Sequence, residues 1–299
     1  MKVAVTGATG FIGRHVTNAL LKKGYDVLLV GRSTDLQHRG LPFVQLDLLE
    51  ERNHNWISDH NPSHLLHLAW YTNHGDYWDS PLNIRWCHST INLVHAFAIQ
   101  GGKRIVVSGS CAEYDWSFGY CNEVKTPSNP SSLYGISKDC ARRMSEKICD
   151  IHNVSLAWGR IFLPFGSGEN PKRLIPSITR ALIGSDPPFP ICVSQWRDFL
   201  PVETVADGFL FLLEKDHPGI FNICSGRPVQ LSEVIKRIAF ILNKSADTLM
   251  LKADFSISYD SFLLGDNRSI TMHGWHPEYD LWHSLNVYVK SLMEVVQGL

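Results

Sequence analysis

Little in this sequence points to a metal, a membrane or a nucleic acid. The 299 residues include seven cysteines, an odd number, with no C-x-x-C pair among them. Neither a disulfide framework nor a zinc site is expected. Fourteen histidines occur without an H-E-x-x-H or comparable ligand spacing, so no metal is expected. Twenty-eight basic residues face 29 acidic ones, a net charge of −1. That balance lacks the basic excess of a nucleic-acid binder. The apolar run Phe209–Leu213 is far shorter than the ~20 residues of a membrane span. The opening MKVAVTGATG holds no apolar leader segment and no cleavage site, so a cytoplasmic setting is expected. No repeat and no low-complexity segment occurs. What remains is globular: 44% hydrophobic and 19% charged, with length enough for a large core or two domains.

The N-terminal half alternates strand and helix signals. Short, mostly apolar runs at Val3–Val5, Asp26–Val30, Phe43–Leu46, His64–Ala69 and Arg104–Val107 read as strands. Helical patterns lie between them, the longest at Asn83–Gln100 and Ser132–Asp150. Strands mostly apolar and separated by helices predict a parallel sheet covered on both faces, a Rossmann-like doubly wound α/β fold. After residue 160 the texture changes, with prolines at 164, 171, 176, 187, 188 and 190. We expect residues 1–160 to form the main domain. Residues 161–299 are expected to form a smaller α/β domain, interleaved with the last strands of the main sheet.

Two motifs carry chemistry. Thr6-Gly7-Ala8-Thr9-Gly10-Phe11-Ile12-Gly13 sets three glycines at G-x-x-G-x-x-G spacing between the first strand and the first helix. Such glycines permit a tight turn, and the helix N-terminus behind them offers free N–H groups to a pyrophosphate. Gly7, Thr9, Gly10, Phe11, Ile12 and Gly13 are therefore candidate dinucleotide contacts. Tyr134-Gly135-Ile136-Ser137-Lys138 is a Y-x-x-x-K motif, and residues i and i+4 share a helix face. A neighbouring ammonium is expected to lower the phenol from its ordinary pKa near ~10, making Tyr134 a general acid or base.

These motifs, in this order, resemble the extended short-chain dehydrogenase/reductase family. The likeness is to its nucleotide-sugar branch of epimerases, dehydratases and ketoreductases, and it spans nearly the whole chain. The resemblance implies a Ser110–Tyr134–Lys138 catalytic set, with Ser110 four residues before the aromatic Tyr114. It also implies that Asp47 and Leu48 touch adenine, and that Ala69, Trp70, Asn83, Ser108 and Ile161 line the cofactor. The second strand ends Val30-Gly31-Arg32-Ser33, without the acid that favours NAD. Arg32, with Arg14, points to NADP(H), NAD(H) remaining possible. Trp196-Arg197-Asp198-Phe199 resembles a segment whose Arg grips a substrate diphosphate. Lys172 and Arg173 are expected to assist, and Cys111 and Ala112 to line the substrate.

Departures from the family pattern narrow the reaction. Cys111-Ala112 stands where the 4,6-dehydratases have Asp-Glu, and Glu113 lies one residue too far along. Ala112 also replaces the Cys of the 3,5-epimerase/reductases. Leu163 stands where many epimerases place a substrate Asn. Two reactions survive: reduction of a 4-keto nucleotide sugar, and 4-epimerisation with retained cofactor. A non-catalytic NADP-binding sensor is a minor alternative, since such proteins tend to lose the Tyr and Lys. The helices near 83–100 and 132–152 resemble those of a family homodimer interface.

Overall fold

The computed structural model describes residues 1–33, 40–50, 54–250, 253–254 and 261–297. The chain begins β1 (Lys2–Thr6), α1 (Phe11–Lys22), β2 (Asp26–Gly31), β3 (Phe43–Gln45), α2 (Trp56–His60), β4 (His64–His67), α3 (Leu82–Ile99) and β5 (Arg104–Ser110). Two short 3-10 turns, Cys111–Glu113 and Trp116–Phe118, lead to β6 (Tyr120–Cys121), α4 (Leu133–His152) and β7 (Ser155–Ile161). Next come β8 (Leu163–Phe165), α5 (Leu174–Ile183), β9 (Ile191–Cys192), β10 (Trp196–Arg197), β11 (Phe199–Pro201), α6 (Val202–Glu214) and β12 (Gly219–Ile223). The chain closes with β13 (Val229–Gln230), α7 (Leu231–Leu242), α8 (Asp247–Met250), β14 (Ala253–Asp254), β15 (Phe262–Gly265), α9 (Arg268–Met272) and α10 (Leu281–Gln297).

Seven parallel strands form the main sheet in the order β12-β7-β5-β4-β1-β2-β3. Strand pleating sends alternate side chains to opposite faces. Val3, Val5, Val27 and Leu29 enter a core that includes residues of α1 and α6. Ala4, Leu28, Val30, Leu65, Ile105 and Val107 enter the other, which includes residues of α3 and α4. With both faces covered, neither tolerates polar alternation, which explains the continuous apolar strands. Strand order reverses between β1 and β4, and that switch point opens a crevice at the carboxyl ends of the strands.

Two boundaries differ from the sequence reading. The expected strand at His64–Ala69 ends at His67, after which Leu68–Trp70 turn along the crevice. The strand expected to end at Val107 continues to Ser110, because Ser108, Gly109 and Ser110 keep pairing with Gly159, Arg160 and Ile161. Through the same ladder Arg160 lies inside β7, and it is buried. The chain after Ile161 returns to the main sheet through α6 and β12. A separate core holds α5, α7 and α10 together with Phe165, Phe199 and Val229. A four-stranded sheet, β13-β10-β15-β6, accompanies it.

Candidate active site

One cavity of about 610 Å³ runs along the carboxyl ends of the strands, lined by residues from Gly7 to Leu263. At one end lies the glycine turn. Gly10 precedes α1 with extended backbone, and no side chain caps the helix. A Cβ on Gly13 would fall 2.0 Å from the Gly7 carbonyl oxygen, so α1 can lie this close to the turn only without a side chain there. Backbone packed this tightly, and aimed by a helix N-terminus, fits a dinucleotide pyrophosphate. Arg32, Asp47 and Leu48 line the cavity beyond β2 and β3.

The candidate catalytic residues Ser110, Tyr134 and Lys138 line the same cavity. Ser132 caps α4 by accepting from the Gly135 N–H at 3.1 Å. A Cβ on Gly135 would meet the Ala112 carbonyl oxygen at 2.2 Å. The glycine inside the Y-x-x-x-K motif therefore lets α4 dock on the turn after Ser110, bringing Tyr134 and Ser110 together. Lys138 is 2% exposed and donates to the Ser108 carbonyl at 2.7 Å. Its ammonium also lies 4.0 Å from the centroid of the Trp70 ring. Burial lowers the Lys138 pKa to about 7, and Glu113 pulls it back up.

Tyr134 departs from expectation. The phenol is pushed above its ordinary range: burial raises it, Tyr77 adds to the effect, and a hydrogen bond with Ser110 opposes it. An aromatic surround explains the strength of desolvation. Tyr77, Trp78 and Trp70 stand edge-on to the Tyr134 ring at 5.0, 5.8 and 6.4 Å. The Tyr134 N–H donates to the Trp78 carbonyl at 2.8 Å, and the Leu133 N–H to Asp79 at 3.1 Å, so the 70–80 loop is clasped to the start of α4.

Most residues singled out from sequence line this cavity: Gly7, Thr9, Gly10, Phe11, Ile12, Gly13, Arg32, Asp47, Leu48, Ala69, Trp70, Ser108, Ser110, Cys111, Tyr134, Lys138, Ile161, Arg173 and Arg197. Arg14, Asn83, Ala112 and Lys172 are not in its lining. Arg14 donates to the Thr9 carbonyl at 3.1 Å and so braces the glycine turn from behind. Asn83 is fully buried, accepts from the Trp70 indole at 2.9 Å, and donates to the carbonyls of Tyr77 and Ser80. It holds the ring on which Lys138 rests. Ala112 is buried against Gly135, and Lys172 is exposed. Asp198 accepts from the Ser225, Gly226 and Gly265 N–H groups, and burial raises its pKa to about 6.

Sequence reasoning missed the aromatic wall of Tyr77, Trp78, Trp86 and Trp116. The density of rings in WYTNHGDYW (70–78) was the available signal. It also missed Glu169, which lines the cavity and pairs with Arg173 at 3.1 Å. Burial raises the Glu169 pKa to about 7, against the opposing pull of Arg173.

A parallel sheet with a glycine turn at its switch point and a Ser–Tyr–Lys set beside it defines a dinucleotide-dependent enzyme of the extended short-chain dehydrogenase/reductase class. The chain belongs to the NAD dependent epimerase/dehydratase family, whose profile matches residues 3–224. It is 27% identical over 275 residues to the dTDP-6-deoxy-L-talose 4-dehydrogenase (NAD(+)) of Aggregatibacter actinomycetemcomitans, covering 87% of this chain and 97% of that protein. It is 26% identical over 279 residues to the UDP-glucose 4-epimerase of Neisseria gonorrhoeae, covering 79% and 81%. The fold matches the UDP-N-acetylglucosamine 4-epimerase of Methanobrevibacter ruminantium M1 with a TM-score of 0.87, at 21% identity and 98% coverage of both chains. A UDP-glucuronic acid 4-epimerase from Bacillus cereus, solved with UDP-glucuronic acid and NAD, matches at 0.84, with 21% identity, covering 99% of this chain and 100% of that one. Among the described residues, no helix is long and apolar enough to cross a membrane.

Proposed function

We propose that this protein reduces a 4-keto (deoxy)sugar carried on a nucleoside diphosphate, with NADP(H) preferred. The observation that carries the reading is the convergence of Ser110, Tyr134 and Lys138 on the cavity that also holds the glycine turn. When bound, the nicotinamide supplies the hydride. Ser110 holds the carbonyl oxygen, and Tyr134 donates the proton that the developing alkoxide takes up. The phenolate left on Tyr134 is stabilised by the Lys138 ammonium. Arg197 and Arg173 supply guanidinium groups suited to a diphosphate. Arg32, exposed just after β2, favours a 2′-phosphate.

Similarity to a 4-dehydrogenase over nearly its full length supports chemistry at a sugar C4. The test is stoichiometry. NADPH should be oxidised one for one with 4-hydroxy sugar formed from a 4-keto nucleoside diphosphate sugar. Interconversion of 4-epimers with no net cofactor oxidation overturns the reduction in favour of epimerisation. NADH preferred more than tenfold over NADPH overturns the role of Arg32. A homodimer through α3 and α4 belongs to the same reading, supported by exposed Ile84, Ile136, Met144 and Ile151 on those helices. Light scattering that shows only monomer at micromolar concentration removes it.

A further inference from the structure

Glu113 falls outside every role given so far, yet it is fully buried immediately behind the catalytic serine. Its carboxylate accepts from the Ser110 backbone N–H at 2.8 Å, the Trp158 indole N–H at 3.0 Å and the Arg160 Nε at 2.7 Å. Arg142 stands 4.0 Å away. The Arg160 guanidinium stacks over the Tyr114 ring at 4.1 Å and also donates to the Ser128 hydroxyl at 3.0 Å. The close packing extends to Gly109, where a Cβ would lie 2.2 Å from the Trp158 Nε1 and 2.7 Å from the Glu113 carboxylate.

From this geometry, and resting on the catalytic reading of Ser110, Tyr134 and Lys138, we infer that Glu113 is a positioning residue. It fixes the Ser110 backbone by accepting its N–H, on the same strand end whose Ser108 carbonyl receives the Lys138 ammonium, and so places a negative charge on the segment that holds both groups. The side chain is fully buried and is not part of the cavity lining. A buried carboxylate bound to three donors is costly to desolvate, so it holds one geometry or is lost altogether.

The charge effect is specific to this residue. Around Lys138, the groups that bear on its protonation come from several elements. Glu113, on the turn after β5, favours the charged form. His67, on β4, is held neutral, with its pKa lowered to about 3 by burial and by Lys138 itself. Tyr134, on the same helix, is held as the phenol by burial. Arg160 on β7 pairs with Glu113 at 2.7 Å and lies 3.8 Å from Asp139, while Arg142 on α4 pairs with Asp139 at 2.6 Å and Glu146 at 2.7 Å, so both arginines have further acidic partners. Removing the carboxylate therefore subtracts the one charge that favours the Lys138 ammonium.

The experiment measures the Lys138 pKa directly, by NMR of lysine labelled at the ε carbon in the cofactor-free protein, beside the pH profile of turnover. In Glu113→Gln we expect the Lys138 pKa to fall by about one unit. The alkaline limb of kcat should move to lower pH by the same amount, with KM little changed. An unmoved Lys138 pKa in a folded Glu113→Gln protein overturns the electrostatic role. Glu113→Asp keeps the charge but withdraws it by one methylene from the Ser110 N–H. Its kcat should fall at least tenfold without a shift in the pH limb, and an unchanged kcat overturns the positioning role. Should Glu113→Gln fail to fold, Trp158→Phe completes the set: it removes one donor and leaves the charge, so its Lys138 pKa should match wild type. A Lys138 pKa lowered as much by Trp158→Phe would mean that packing, and not the Glu113 charge, controls the lysine. Tyr134→Phe runs in parallel. Activity surviving there overturns the catalytic reading itself, whereas loss there with normal Glu113 variants overturns only this inference.

Discussion

The two ends of the cavity are built in different ways. The dinucleotide end is made mostly of backbone from one short stretch, where Gly7, Gly10 and Gly13 lie within eight residues of Thr6. The catalytic end is made of side chains drawn from distant segments: Trp70 to Trp78, Ser108 to Trp116, Tyr134 and Lys138, Ile161 to Ile175, Arg197 and Leu263. A site built from local backbone is written in a local motif. A site built from converging side chains depends on every element that carries one.

Separate damage to each end tests that contrast, and Tyr134→Phe should have the largest effect. Loss of the proton donor should cut kcat by about a thousandfold, in the range of general acid–base contributions, while dinucleotide affinity stays normal. Steady-state rates with a parallel binding titration would show it, and a matching loss of affinity would mean that the two ends are not separable. Gly13→Ala should do the reverse. A Cβ 2.0 Å from the Gly7 oxygen forces the turn from the helix, so dinucleotide affinity should fall by roughly a hundredfold or the melting temperature should drop. Fluorescence titration and circular dichroism would register either outcome.

Arg197→Met tests the substrate side of the catalytic end. If its guanidinium binds a diphosphate, KM for the nucleotide sugar should rise about tenfold or more, with kcat less affected. An unchanged KM would leave Arg197 without that role.

The smallest effect concerns a residue that joins the two ends. His67 is fully buried, sharing hydrogen bonds with Thr6 at 2.7 Å and Thr90 at 2.9 Å, and Lys138 helps to lower its pKa. With a folded pKa of about 3 against the ordinary 6.5, the unfolded chain binds a proton that the folded chain refuses. Stability therefore falls as the pH drops below about 6.5, by about 2 kcal/mol at pH 5. Urea unfolding between pH 7 and 5 should be steeper for wild type than for His67→Gln. Equal slopes would show that His67 does not titrate with folding.

Much of this was legible in the residues. The strand and helix alternation, the glycine turn and the Tyr134–Lys138 pair each depend on neighbours within a few positions. Ser110 was legible only through the family resemblance, which implies a serine four residues before an aromatic such as Tyr114. Glu113 was legible only as the wrong acid for an elimination, because its partners Trp158 and Arg160 are more than forty residues away. Asn83 was read as a cofactor contact, but Trp70 and the carbonyls of Tyr77 and Ser80 occupy its amide. The end of β5 was not legible because Ser108–Ser110 carry no apolar signal, and only the ladder to β7 extends β5 that far.

By itself, the sequence determined the class of fold and singled out the candidate reactive groups. Apolar periodicity, glycine spacing and an i,i+4 pair act over distances that chain connectivity already fixes. Only the tertiary structure decided the environment of those groups. It put rings around Tyr134, a carboxylate behind Ser110, and Lys138 on an indole in the interior. Desolvation and Coulomb forces depend on what surrounds a charge in space, and residues far apart along the chain supply most of those surroundings.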